Sequence, residues 1–145
     1  MNKEIFPCLW FDGSVREIAD YYCGIFKNSE ILNETPIVII LKLNGNKFML
    51  MESAHNHNFS FSEGISFTIH CETQEEIDYY WERLTEGGEE SMCGWLKDKF
   101  GVSWQIMPVM LSRIMSDPSK AGKAAQAFMS MRKLNIEQIV QAAIS

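Results

Sequence analysis

The chain has 145 residues, 46% apolar and 22% charged, the make-up of one globular domain with a buried core. Nineteen acidic against 13 basic residues leave a formal net charge of −6, a surface that repels phosphate backbones and excludes nucleic acid as a partner. The longest apolar run, Ile37-Val38-Ile39-Ile40-Leu41, is β-branched and far too short to span a bilayer. No signal-like stretch lies between Met1 and Pro7, so a cytoplasmic protein with no membrane partner is expected. Cys8, Cys23, Cys71 and Cys93 are scattered without a C-x-x-C pair, which argues for reduced thiols acting as small core hydrophobes.

In chain order, an extended apolar segment from Ile5 to Phe11 leads into a helix opened by Ser14, with Glu17 three residues on. That spacing predicts a capping box, in which hydroxyl and carboxylate each satisfy an orphan backbone N–H. Val15, Ile18, Ala19, Tyr22, Ile25 and Phe26 follow helical spacing, and Asn28 stops the helix. Strands are expected at Glu30 to Asn33, Ile37 to Leu43 and Lys47 to Glu52, the last two joined by an Asn44-Gly45 hairpin turn.

The segment from His55 to Gly64 is rich in Asn, His and Ser and reads as a linker. The same order of elements then returns. A strand from Ile65 to Cys71 precedes a second capped helix, opened by Thr73 with Glu76, carrying Ile77, Tyr80, Trp81 and Leu84, and ending at Gly87-Gly88. Strands follow at Glu89 to Cys93, Trp95 to Lys97 and Val102 to Met107, with a turn through Asp98-Lys99-Phe100-Gly101.

Ser14 and Thr73 lie 59 positions apart, and at that offset Glu17 meets Glu76, Ile18 meets Ile77, Tyr21 meets Tyr80 and Tyr22 meets Trp81. Strand–helix–strand–strand–strand therefore occurs twice, as a diverged internal repeat. Beyond Pro108 the pattern turns helical. A short helix around Leu111, Ile114 and Met115 is followed by an Asp117-Pro118 start, a helix from Ala121 to Lys133, and a third capped by Asn135 and running through Ala143. Met107, Met110, Met115, Met129 and Met131 suit soft core filler, with a subunit interface as the alternative.

The duplicated β-α-β-β-β unit resembles the vicinal oxygen chelate superfamily, which includes glyoxalase I, bleomycin-resistance proteins and extradiol dioxygenases. It is most similar to the PhnB-like branch, whose domain carries a 3-demethylubiquinone methyltransferase description. The similarity is carried by Pro7 through Tyr22, by Glu75 through Trp81, by the block from Cys93 through Ile106, and by the tail from Asp117 to Ile136. It implies an α+β fold in which two modules pair to form an open mixed-sheet barrel around a cavity. The expected organisation is a single domain over 1–145, with module one at 4–53, a linker at 54–64, module two at 65–107 and C-terminal helices at 108–145. Relatives commonly pair modules within or between subunits, so a homodimer is implied.

Methyl transfer from an adenosyl cofactor calls for a glycine-rich turn opening a helix after a parallel strand. The nine glycines contain no G-x-G, and the order of elements is wrong for a doubly wound sheet. That activity is therefore not expected. Superfamily enzymes hold a divalent metal with side chains from the first and last strand of each module. At the helix register those positions fall on Pro7, Ser66, Gln105 and a residue near Leu50 or Glu52. Proline offers no ligand atom, serine and glutamine are poor ligands, and one carboxylate does not hold a transition metal. The usual metal is therefore not expected and no other cofactor is implied, a divalent ion at an unorthodox site being the alternative.

Strand alternation puts Ser66, Thr68 and His70 on one face and Ser103, Gln105 and Met107 on another. Through the resemblance, these faces line the cavity together with Leu9, Trp10 and Trp95, the tryptophans being candidates to stack on a planar ligand. Glu52 and His70 are a candidate acid/base pair, the alternative being a solvated histidine and a strand-end carboxylate. His55 and His57 read as a solvated loop rather than a chelate. Cys93 has no partner predictably placed to activate it. The expected function is binding of a small organic molecule without the usual metal. One alternative is a lyase, isomerase or dioxygenase with an unorthodox metal site. Another is a non-catalytic homodimeric interaction protein.

Overall fold

The computed structural model describes residues 3–55 and 57–145; Met1, Asn2 and Asn56, at the expected start and in the expected linker, lie outside them. Two compact units are present, Met1–Phe59 and Ser60–Ser145, and the boundary falls inside the predicted linker.

In the first unit the order is β1 (Cys8–Phe11), α1 (Val15–Ile25), β2 (Ser29–Glu34), β3 (Val38–Leu43) and β4 (Asn46–Glu52). These strands form a four-stranded mixed sheet ordered β1-β4-β3-β2, with β1 and β4 parallel and the other pairs antiparallel. Val15, Ile18, Ala19, Tyr22 and Ile25 are buried at helical spacing, and Leu9, Phe11, Ile39, Leu41, Leu43, Phe48 and Leu50 complete the core. Each of the larger aliphatic and aromatic side chains contributes roughly 2 kcal/mol of burial. The β3–β4 turn needs two residues at positive φ, and Asn44 (49°) and Gly45 (82°) supply them.

The second unit repeats this order with β5 (Phe67–Cys71), α2 (Gln74–Thr85), β6 (Glu89–Glu90), β7 (Trp95–Lys97) and β8 (Ser103–Pro108). Its sheet is ordered β5-β8-β7-β6, again with first and last strands parallel. Helix α2 has the full capping box. In α1 the Ser14 hydroxyl accepts from Glu17 N–H, while the neighbouring orphan, Val15 N–H, is met from β4 by Glu52 at 2.7 Å. Strand β6 is shorter than expected, because the chain leaves the sheet after Glu90 to meet the tail.

The tail holds α3 (Leu111–Met115), α4 (Pro118–Phe128) and α5 (Ile136–Ile144). Ala124, Leu134, Ile139 and Ala143 form its own small core, with Met107, Met110 and Met131 packed against it. Met115 and Met129 are exposed. Helix α4 ends at Phe128 instead of Lys133, because the following backbone is used elsewhere. Cys93 N–H donates to Met131 O at 2.7 Å and Gly94 N–H to Arg132 O at 2.8 Å. Gln74 completes the junction: its Nε2 donates to Leu134 O at 3.0 Å, and its Oε1 accepts Ile136 N–H at 2.8 Å. The long Cys93-to-Ile106 block is in large part the seat of this tail and of a buried turn around Asp98. No helix among the described residues is long and apolar enough to cross a membrane.

Candidate functional site

Side chains of the second sheet alternate between two environments. Leu96, Trp104, Ile106 and Cys71 are buried on the α2 side. Thr68, His70, Ser103, Gln105, Met107, Trp95 and Lys97 project from the other side, where the predicted polar face is found. Across the ladder Gln105 lies between Thr68 on β5 and Trp95 on β7, and its Nε2 donates to Ser66 Oγ at 2.9 Å. Two of the positions expected to carry ligands therefore bond to each other. His70 is exposed and pairs across the ladder with Met107.

Next to Gln105 runs a row that crosses three strands: Glu89 on β6, Lys97 on β7 and Ser103 on β8. These residues, with Glu63, Glu90, Ser91, Trp95 and Leu96, line a cleft of about 120 Å³. Lys97 Nζ bonds Glu63 Oε1 at 2.5 Å. That contact holds the Glu63 carboxyl below its usual range. Glu63, chiefly by hydrogen bonding, and then Glu89 raise the Lys97 ammonium above its ordinary value. Glu90 accepts the Trp81 indole N–H at 2.7 Å. Ser103 is 1% exposed, and among the described residues its hydroxyl has no hydrogen-bond partner. Sequence reasoning missed Glu63 and Glu89, which sit in the linker and in a two-residue strand where no local periodicity marks them.

On the first sheet Trp10 projects from the side away from α1, 38% exposed, whereas Leu9 turns into the core at 9%. The pleat explains why these neighbours cannot share a face. Trp10 packs against His57 and Phe59, with ring centroids 4.8 and 5.0 Å away. His57 does not lie in a solvated loop: its side chain is 10% exposed and stacked on Phe59 at 3.8 Å. Its Nδ1 stands 2.9 Å from Phe59 O. Its Nε2 stands 3.3 Å from Asp12 Oδ1, off the line a hydrogen bond needs. His55 is exposed.

The register shows which residues of module one lie on the face equivalent to that of Gln105. Cys8 faces the open side and pairs with Met49, as Thr68 pairs with Gln105. Met49 therefore shares that face, and Leu50 and Glu52 do not. Glu52 turns to the helix side, where its Oε2 accepts Val15 N–H. By the same face argument Ser66 corresponds to Phe6 in place of Pro7. Hydroxyl, amide, thioether and phenyl groups do not make a set for a hard or borderline divalent ion. Among the described residues no three His, Cys, Asp or Glu side chains converge to hold one. The residues at these positions do not fit the metal that the superfamily implies.

The family model described as 3-demethylubiquinone-9 3-methyltransferase matches residues 3–107. The chain belongs to this family. Within it, this PhnB-like chain is similar to a PhnB protein from Bacillus cereus with the same description, at 33% identity. That match covers 73% of this chain and 99% of that one, with a TM-score of 0.67. A Pseudomonas aeruginosa protein follows at 20% identity, covering 74% of this chain and 98% of that one (TM-score 0.61). The fosfomycin resistance protein FosX from Listeria monocytogenes, complexed with Mn(II) and sulfate, matches at 18% identity. There 73% of this chain and 91% of that one are covered, with a TM-score of 0.52. At the last two identities the likeness is one of fold, the vicinal oxygen chelate fold. None of the curated proteins matches the chain. The tail from 108 onward lies beyond the family model's match.

Proposed function

We propose that this PhnB-like protein binds a small organic molecule on the open face of the module-two sheet, without a metal held at the superfamily's ligand positions. The observation that carries this reading is the Gln105–Ser66 hydrogen bond. It joins two metal-ligand positions into a neutral polar pair beside the Trp95 indole, a surface suited to hydrogen bonding and stacking rather than to Lewis-acid chemistry.

The family description names a methyl transfer, which the geometry supports poorly. The helix N-termini that follow β1 and β5 are both closed by side chains, Ser14 with Glu52 and Thr73 with Glu76. They leave no open glycine-rich turn whose amides could meet an adenosyl cofactor.

The test is elemental analysis of untagged, chelator-free protein, with melting scans against added Ni, Zn, Mn and Fe(II). Metal near one equivalent, or a large stabilisation by one ion, overturns the metal-free reading. Neither effect, followed by a saturable rise in melting temperature with a member of a small-molecule library, supports it.

A further inference from the structure

We infer that the cleft lined by Glu63, Glu89, Trp95 and Ser103 is a site for a small organic ammonium ion. This deepens the proposed function and rests on it, by naming the charge class of the ligand and its place on the module-two face.

The electrostatics exclude an oxyanion. Two carboxylates, Glu63 and Glu89, stand against one ammonium, Lys97, and that ammonium is already held by Glu63. Glu90 is engaged by Trp81. Among the described residues the Glu89 carboxylate has no hydrogen-bond or ion-pair partner, and it acts on Lys97 only through space. A phosphate, sulfate or carboxylate would meet uncompensated negative charge here. A cation would find a carboxylate acceptor with its capacity unspent.

Ser103 is the second, independent observation. A hydroxyl buried without a partner is disfavoured unless a ligand or an ordered water meets it. Ser103 lines this cleft, in one row with Glu89 and Lys97, so an ammonium entering it meets Ser103 Oγ and the Glu89 carboxylate as acceptors. Trp95 adds an aromatic surface to the same cleft, suited to a cation and its alkyl part. The protein's own Lys97, an alkylammonium held in this cleft, shows the chemistry that the surroundings accept. A cleft of about 120 Å³ has room for a small alkylammonium head group.

The test is an amide and indole NMR titration of the full chain with propylammonium chloride. Propionate, inorganic phosphate and sodium chloride at matched ionic strength are the counterparts. Saturable shifts are expected at the Trp95 indole N–H and the amides of Glu89, Lys97 and Ser103 with propylammonium alone. Glu89→Gln weakens that binding by roughly tenfold, the loss of one charge-assisted hydrogen bond. Ser103→Ala weakens it too while leaving the melting temperature equal or higher. A hydroxyl that is only a packing defect would raise stability and leave affinity alone.

No saturable shift with propylammonium, or unchanged affinity in both variants, overturns the inference. Saturable shifts with propionate or phosphate at the same resonances overturn the ammonium assignment and leave small-molecule binding on this face standing. A chemically diverse library that moves none of these resonances removes both.

Discussion

The Trp104 indole N–H donates to Asp98 Oδ2 at 2.9 Å, inside the core of module two. The other carboxylate oxygen accepts Phe100 N–H at 2.9 Å and Val102 N–H at 3.1 Å. Asp98 is 2% exposed and Trp104 4%, so one buried carboxylate organises the whole β7–β8 turn and ties it to the strand that carries Ser103 and Gln105. A charged group is tolerated there because three donors replace its water.

Replacing that carboxylate tests the arrangement directly. Asp98→Ala strands three donors and is expected to cost roughly 3 kcal/mol or more. Asp98→Asn keeps one acceptor oxygen but sets its amide against the Trp104 N–H. Trp104→Phe should therefore be less damaging in the Asp98→Asn background than in the natural protein. Urea unfolding of the four proteins in a double-mutant cycle checks this; additive losses would show that the pair is not coupled.

Two glycines are expected to respond with opposite signs. At Gly94 φ is +82°, and an added Cβ would lie 2.8 Å from Ile106 O and 3.2 Å from the Leu134 side chain. Gly94→Ala should cost about 2 kcal/mol or more through strain and overlap. It should also speed amide exchange at Cys93 and Ile136, where the tail is held, while Ile18 in module one keeps its protection. Gly122, inside α4, has nothing within 4 Å of an added Cβ, and Gly122→Ala should stabilise by about 0.5–1 kcal/mol. Thermal melts with site-resolved exchange decide both.

Most elements were legible because local chemistry writes them. Ser14, Thr73, Asp117 and Asn135 all cap the helices they were expected to open, and Asn44-Gly45 makes its hairpin turn. The site register was not legible. Two residues, Asp12 and Gly13, separate β1 from the cap of α1, but only Glu72 separates β5 from the cap of α2. Aligning the helices therefore slips the strands by one, and one residue exchanges the faces of a strand. The same slip exchanges the expected and the observed face of Leu9. The end of α4 was missed for another: carbonyls of Met131 and Arg132 bond to Cys93 and Gly94, partners far away in sequence with no local signal.

Glu52 now has a structural assignment with its own consequence. Its Oε2 meets Val15 N–H at 2.7 Å, a carboxylate at a helix N-terminus. Glu52→Ala should destabilise by roughly 1.5–3 kcal/mol, the range of a hydrogen bond to a charged group. Propylammonium affinity and metal content should be unchanged. A loss of metal or ligand with intact stability would return Glu52 to the site.

The last expectation concerns alkaline pH. Cys71 is 1% exposed on the α2 side of β5. Burial, aided by Glu76, raises its thiol from an ordinary 9.0 to about 11. The folded state thus holds this proton more tightly than the unfolded chain does. The resulting stability is fully present below pH 9 and is lost as pH rises toward 11, once the unfolded thiol ionises and the folded one resists. Two units correspond to about 2–3 kcal/mol. Urea midpoints should therefore fall across that window in the natural protein, and fall less steeply in Cys71→Ala, whose unfolded state gains no thiolate there. Parallel slopes in the two proteins would show that the alkaline loss comes from other groups.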